Sequence, residues 1–247
     1  MNNMRFGFLS LAVAVLLITG TANAETVLFN FSAANSSNLD GSGIGGFQSA
    51  TATDGTVVTL TTTDITGYID DGAGGFSLEA LSDNADAGHT VSLRTQSGGQ
   101  VGVGSAAAAG FTSASGHFNP GETWTFVFDE DVRFDSLDLQ SYDDPSENNQ
   151  FTISAGGTNL VFNEDTYPDD APDINFTEFN GGTEFIVAAG TEITFAASSF
   201  DPTEPFNASS DFRIPDFQLT VLTAVPEPSS LVLLGLLGGV AAVRRRR

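Results

Sequence analysis

The chain has no cysteine and no lysine, and only two histidines and one tryptophan in 247 residues. Without cysteine there is no disulfide, no thiolate metal site and no cysteine nucleophile. The two histidines, His89 and His117, lie in no Gly-x-Ser-x-Gly setting, so serine-nucleophile chemistry lacks its usual base. Both read as surface or turn residues. Phosphate-loop and dinucleotide-binding signatures are absent, and the glycine-rich stretch 41–46 opens no helix. Eight arginines face 31 acidic residues, for a formal net charge of −23. Such a surface repels nucleic acid and anionic lipid, so no nucleic-acid partner is expected.

Long apolar runs occur only at the two ends. Residues 1–24 have a basic start at Arg5, an apolar run over 6–18 and a small-x-small close at Ala22 and Ala24. That is the pattern of a secretory signal peptide cleaved after Ala24. At the other end, Pro226-Glu227-Pro228 is followed by an uncharged run, 229–243, and by Arg244, Arg245, Arg246 and Arg247. Each proline fixes its own φ and cannot continue a sheet or helix, so 225–228 reads as an extended, readable element. As a helix the apolar run spans about 22 Å, short of a hydrocarbon core of about 30 Å. Local thinning and snorkelling arginines make up the difference. The arginines then act as a cytoplasmic stop, which leaves everything upstream outside.

This three-part tail, 225–247, resembles the PEP-CTERM sorting signal of exopolysaccharide-producing Gram-negative bacteria. The likeness rests on Pro226, Glu227 and Pro228, on the glycine-bearing apolar run and on the arginine cluster. It implies recognition and processing by a membrane-embedded exosortase. It also implies an inner-membrane-anchored intermediate, held by a C-terminal transmembrane helix, before release to the cell surface or extracellular matrix. It says nothing about what the cargo does.

Between the two signals lie residues 25–222, enough for one large all-β domain. The terminal segments hold five of the arginines and one acid, Glu227, so this middle keeps Arg94, Arg133 and Arg213 and a formal charge of −27. It also holds all but two of the 21 phenylalanines, and with no disulfide its stability has to come from the core or from bound ions. Short alternating segments recur along it. Thr123 to Phe128 puts Trp124, Phe126 and Phe128 on one face. Val132 and Phe134 share a face, but Leu137 and Leu139 have the opposite parity. Either a bulge sits near Asp135 and Ser136 or the strand is apolar on both faces. The Gly/Ala-rich stretch 98–110 fits a loop or a small-residue strand packed against another backbone. No helix is expected. Many short strands with Gly, Asn, Asp and Pro turns predict a single, jelly-roll-like β-sandwich. The section from Gly121 to Tyr142 resembles strand pairs of jelly-roll, carbohydrate-binding-like domains common in PEP-CTERM cargo.

Hard-oxygen metal ligands are plentiful. The best candidate calcium loop is Glu164, Asp165, Asp169, Asp170 and Asp173; a second acidic run is Asp143, Asp144 and Glu147. No stretch has EF-hand spacing, and a solvated acidic loop accounts for the same residues. For sugar stacking, Tyr68, Tyr142 and Tyr167 fall in or near turns, whereas the alternation around Trp124 assigns it to the core. The expected function is structural or binding association with extracellular polysaccharide, without enzymatic activity. The rival is a secreted glycan-active hydrolase using paired carboxylates.

Overall fold

The computed structural model describes residues 24–32, 38–39, 42–70, 76–80, 91–96, 100–104, 118–139, 149–163, 174–199 and 213–222. All lie in one compact unit, Ala24–Leu222. The strands are β1 (Glu25–Asn30), β2 (Phe47–Thr51), β3 (Val57–Asp70), β4 (Phe76–Ala80), β5 (Ser92–Gln96), β6 (Gln100–Gly104) and β7 (Thr123–Phe128). They continue as β8 (Val132–Leu137), β9 (Asn149–Ala155), β10 (Thr158–Asn163), β11 (Ile174–Asn175), β12 (Phe185–Val187), β13 (Ile193–Ser199) and β14 (Asp216–Val221).

The first strand lies beside the last. One sheet runs β1-β14-β8, with β11 and β12 both paired to β8; the other runs β10-β9-β13-β7-β3-β2, with β4 on β3. Taken alone, β1-β14-β8-β12 and β7-β13-β9-β10 are the two four-stranded sheets of a jelly roll, in which two Greek keys interleave. The strands β2 to β6 are an insertion between its first and second strands. Three of them, β3, β2 and β4, widen one sheet, and β5 pairs with β6 as a separate hairpin.

The alternation seen in the sequence is what closes the sandwich. In β7 the burial alternates strictly, with Trp124, Phe126 and Phe128 inside. Phe217 of β14 sits at the centre of the resulting aromatic core. Its ring lies 5.3 Å from those of Phe29 and Phe31 and 5.7 Å from Phe134, all on its own sheet side. It lies 6.2 Å from Phe126, Phe128 and Phe195 on the facing sheet. Such offset and edge-on pairs add about 0.5–1.5 kcal/mol each beyond the area they bury. That is the packing a chain without disulfides depends on.

The parity change in β8 is a bulge. Against β14, Ser136 pairs with Gln218 and Phe134 with Leu219, so Asp135 is the extra residue. The bulge turns Leu137 back into the core, where it is fully buried. A second bulge lies in β3, where Thr62 pairs with Phe126 and Asp64 with Thr125, leaving Thr63 over. In the Gly/Ala-rich stretch, Gln100–Gly104 is strand β6. A Cβ at Gly67 of β3 would stand 2.6 Å from Val91 Cγ1 and 3.0 Å from Val103 Cγ1. Only a glycine lets the β5–β6 hairpin and the residue leading into it pack this close.

The expectation of no helix needs one correction. Phe176–Phe179 forms a single helical turn, α1, whose N-cap Asn175 accepts from the Glu178 backbone N–H at 3.1 Å. One turn is too short to leave a helical period in the sequence.

Candidate functional site

The two ends of the domain meet on one sheet. Glu25, which opens β1, pairs with Val221, which closes β14. The Leu222 backbone N–H donates to the Asp131 carbonyl at 2.8 Å. Ala24, the expected cleavage position, is exposed just ahead of β1. The rest of the sequence-predicted site residues lie outside the described residues: Ala22, the sorting residues Pro226, Glu227 and Pro228, and Arg244 to Arg247. So do the calcium candidates Glu164, Asp165, Asp169, Asp170 and Asp173, the run around Asp143, the histidines, Tyr142 and Tyr167. Among the described residues no helix is long and apolar enough to cross a membrane.

Several of the described acidic residues brace turns and neighbouring backbone. Asp129 Oδ1 accepts from the Thr59 backbone N–H at 2.6 Å, and Asp131 Oδ1 from that of Ala189 at 2.7 Å. Asp54 accepts from the Thr56 backbone N–H at 2.8 Å, which lowers its pKa. Glu25 accepts from the Thr53 hydroxyl. The carboxylates of Asp54, Asp129 and Asp131 thereby supply acceptors for backbone N–H groups. Among the described residues no group of three or more potential ligands is placed to hold a metal ion.

Two of the three domain arginines can be placed. Arg133 projects from the outer side of β8 and donates to Asp135 and Glu184, both at 2.8 Å, and to the Thr220 hydroxyl at 3.0 Å. Thr220 in turn donates to Asp135 at 2.6 Å. The Asp135 hydrogen bond is the main reason the guanidinium pKa is raised. Arg213 donates to Gln100 at 3.1 Å, and burial lowers its pKa.

At the start of β7 a corner is built from Asn119 to Glu122. Glu122 is fully buried and its carboxylate accepts from the Asn119 backbone at 2.8 Å and side-chain amide at 3.0 Å. Tyr68, on the outer side of β3, donates to the Pro120 carbonyl at 2.8 Å. Burial, then the Glu122 charge, raise its pKa. Trp124 is fully buried, so it is a core residue and not a sugar platform. Tyr68 is half-buried on the outer side of its sheet.

Sequence reasoning passed over the hydroxyls between the buried residues. Thr123-Trp124-Thr125, Thr152-Ile153-Ser154 and Thr59-Leu60-Thr61 each turn two hydroxyls outward on the seven-stranded sheet. The alternating threonines were the available signal, hidden because an outward threonine in a strand is first read as β-propensity.

Residues 224–247 match the PEP-CTERM protein-sorting motif. No curated protein and no solved structure matches the chain. The motif takes in Pro226, Glu227, Pro228 and the terminal arginines, and with it the chain carries the mark of an exported protein, processed by an exosortase and sorted to the cell surface.

Proposed function

We propose that this protein is a non-enzymatic component of the cell surface or extracellular matrix that associates with exopolysaccharide. Its signal peptide is removed after Ala24. The run 229–243 then holds the exported sandwich at the inner membrane of a Gram-negative-type cell, with Arg244 to Arg247 on the cytoplasmic side. Exosortase processing ends that anchored stage. The observation that carries this reading is the sorting motif at 224–247, since it fixes the route outward. The jelly-roll core suits an extracellular binding module whose stability comes from packing.

Two measurements test it. Intact mass of the exported protein should show a chain that begins at Glu25 and lacks most of 229–247. Retention of both terminal segments would overturn the sorting scheme. A carbohydrate array followed by a reducing-sugar assay should show binding without turnover. Turnover lost on single Asp or Glu changes would instead make the protein a glycan hydrolase.

A further inference from the structure

We infer that the outer face of the seven-stranded sheet is the surface along which a neutral, hydroxyl-rich polysaccharide chain lies. This rests on the polysaccharide reading above and gives it a location. The register lines the outward hydroxyls up across strands. Thr125 pairs with Thr194 and Thr194 with Ser154, which makes one row over β7, β13 and β9. The next row starts with Thr66 on β3 opposite Thr123 on β7 and reaches Thr152 on β9 through Ala196. Neighbouring strands stand about 4.8 Å apart and outward positions along a strand about 6.6 Å apart, so the hydroxyls form a regular grid.

Charge separates this face from the rest of the domain. The middle region carries a formal −27, yet among the outward side chains described on β2, β3, β7, β9, β10 and β13 only Asp64 is ionic. The outer side of the other sheet, by contrast, carries Arg133 and Asp135. An uncharged grid suits an uncharged polymer. Each threonine hydroxyl donates and accepts, as each sugar hydroxyl does, and its methyl meets the C–H side of a ring. The grid is also held in place before any ligand arrives. The hydroxyls of Thr125 and Thr194 lie 3.0 Å apart, those of Ser49 and Thr59 3.1 Å, and Gln150 donates to Ser198 at 3.0 Å. Side chains already fixed lose less entropy on binding.

Among the described side chains, two aromatic residues share the face. Phe47 on β2 is 43% exposed and stands opposite Thr61, and Tyr68 is oriented by its bond to Pro120. Sheets twist by about 20–25° per strand, so a planar crystalline lattice would match only a few strands at once. A single flexible glycan chain can follow the twist. The occupant is therefore a soluble neutral polysaccharide and not a crystalline surface.

The test uses the full chain in mild detergent, run on native gels cast with hydroxyethyl cellulose, dextran or alginate. The neutral glucans should retard the wild type and alginate should not. Thr123→Glu with Thr152→Glu places charges that a bound glycan would have to desolvate, and should weaken binding at least roughly tenfold. Phe47→Ser, at a more exposed site, should weaken it too and guards against misfolding of the double variant. Thr26→Glu, on the outer side of the other sheet, should leave binding unchanged. Wild-type affinity in both folded face variants would overturn the location while leaving the polysaccharide reading intact. No retardation of the wild type by any polymer would overturn both.

Discussion

Trp124 donates its indole N–H to the Thr62 hydroxyl at 3.1 Å, with both residues buried between the sheets. The threonine stands just before the β3 bulge, so a polar group enters the core where the largest side chain needs an acceptor. Trp124→Ala should destabilise the domain by about 3–5 kcal/mol, the range for truncating a buried large aromatic. Thr62→Val keeps the volume but strands the indole N–H, and should cost about 1–3 kcal/mol. Chemical denaturation of both variants checks this. An unchanged midpoint for Trp124→Ala would mean that the residue is not in the core.

Gly67 marks a close approach between β3 and the β5–β6 hairpin with the residue leading into it. An added methyl there would meet Val91 Cγ1 at 2.6 Å and Val103 Cγ1 at 3.0 Å, so Gly67→Ala has to push the hairpin region outward. The expected cost is about 1–3 kcal/mol, typical of overpacking. Adding Val91→Ala should recover part of it, because the nearest obstructing atoms are then gone. Thermal melts of the single and double variants give the comparison.

Tyr68 supplies a pH dependence with a definite sign. Burial, and then the Glu122 charge, raise its pKa above the ordinary tyrosine value of 10.0. The folded state therefore favours the neutral phenol, and the contribution is fully present below the unfolded pKa. It is lost as pH rises through the raised folded value. Stability should fall on the alkaline side of pH 10, and Tyr68→Phe should flatten that fall. The same variant should lose about 0.5–1.5 kcal/mol at neutral pH with the bond to Pro120. Urea midpoints measured from pH 7 to 11 decide it.

A middle region at −27 with no lysine repels itself most when compact. Sodium chloride should raise its melting temperature by screening, most steeply below about 0.1 M, where the Debye length exceeds about 10 Å. Calcium at matched ionic strength, with magnesium as the control for charge, tests the loop at Glu164, Asp165, Asp169, Asp170 and Asp173. A further rise with calcium alone, abolished by changing Asp169, Asp170 and Asp173 to asparagine, would mark a dedicated site. Equal effects of the two divalent ions would assign the acidity to the surface as a whole.

Sorting was legible in the sequence because its signal is contiguous and read by partners as linear chemistry. Pro226-Glu227-Pro228, the apolar run and the arginines need no folded neighbour to be recognised. The sandwich was legible too, since period-two burial is a local property and Trp124, Phe126 and Phe128 display it within six residues. What the sequence left open depended on which strands become neighbours. It could not tell a bulge at Asp135 from a two-faced strand, because the answer lies in the register with Gln218 and Leu219, more than 80 residues on. It could not tell whether 98–110 was loop or strand, since Gly67 and the β5–β6 hairpin meet only in space. The grid of Thr125, Thr194 and Ser154 exists only once β7, β13 and β9 lie side by side. The outward threonines were fixed by local alternation; their alignment into a surface was decided by long-range pairing.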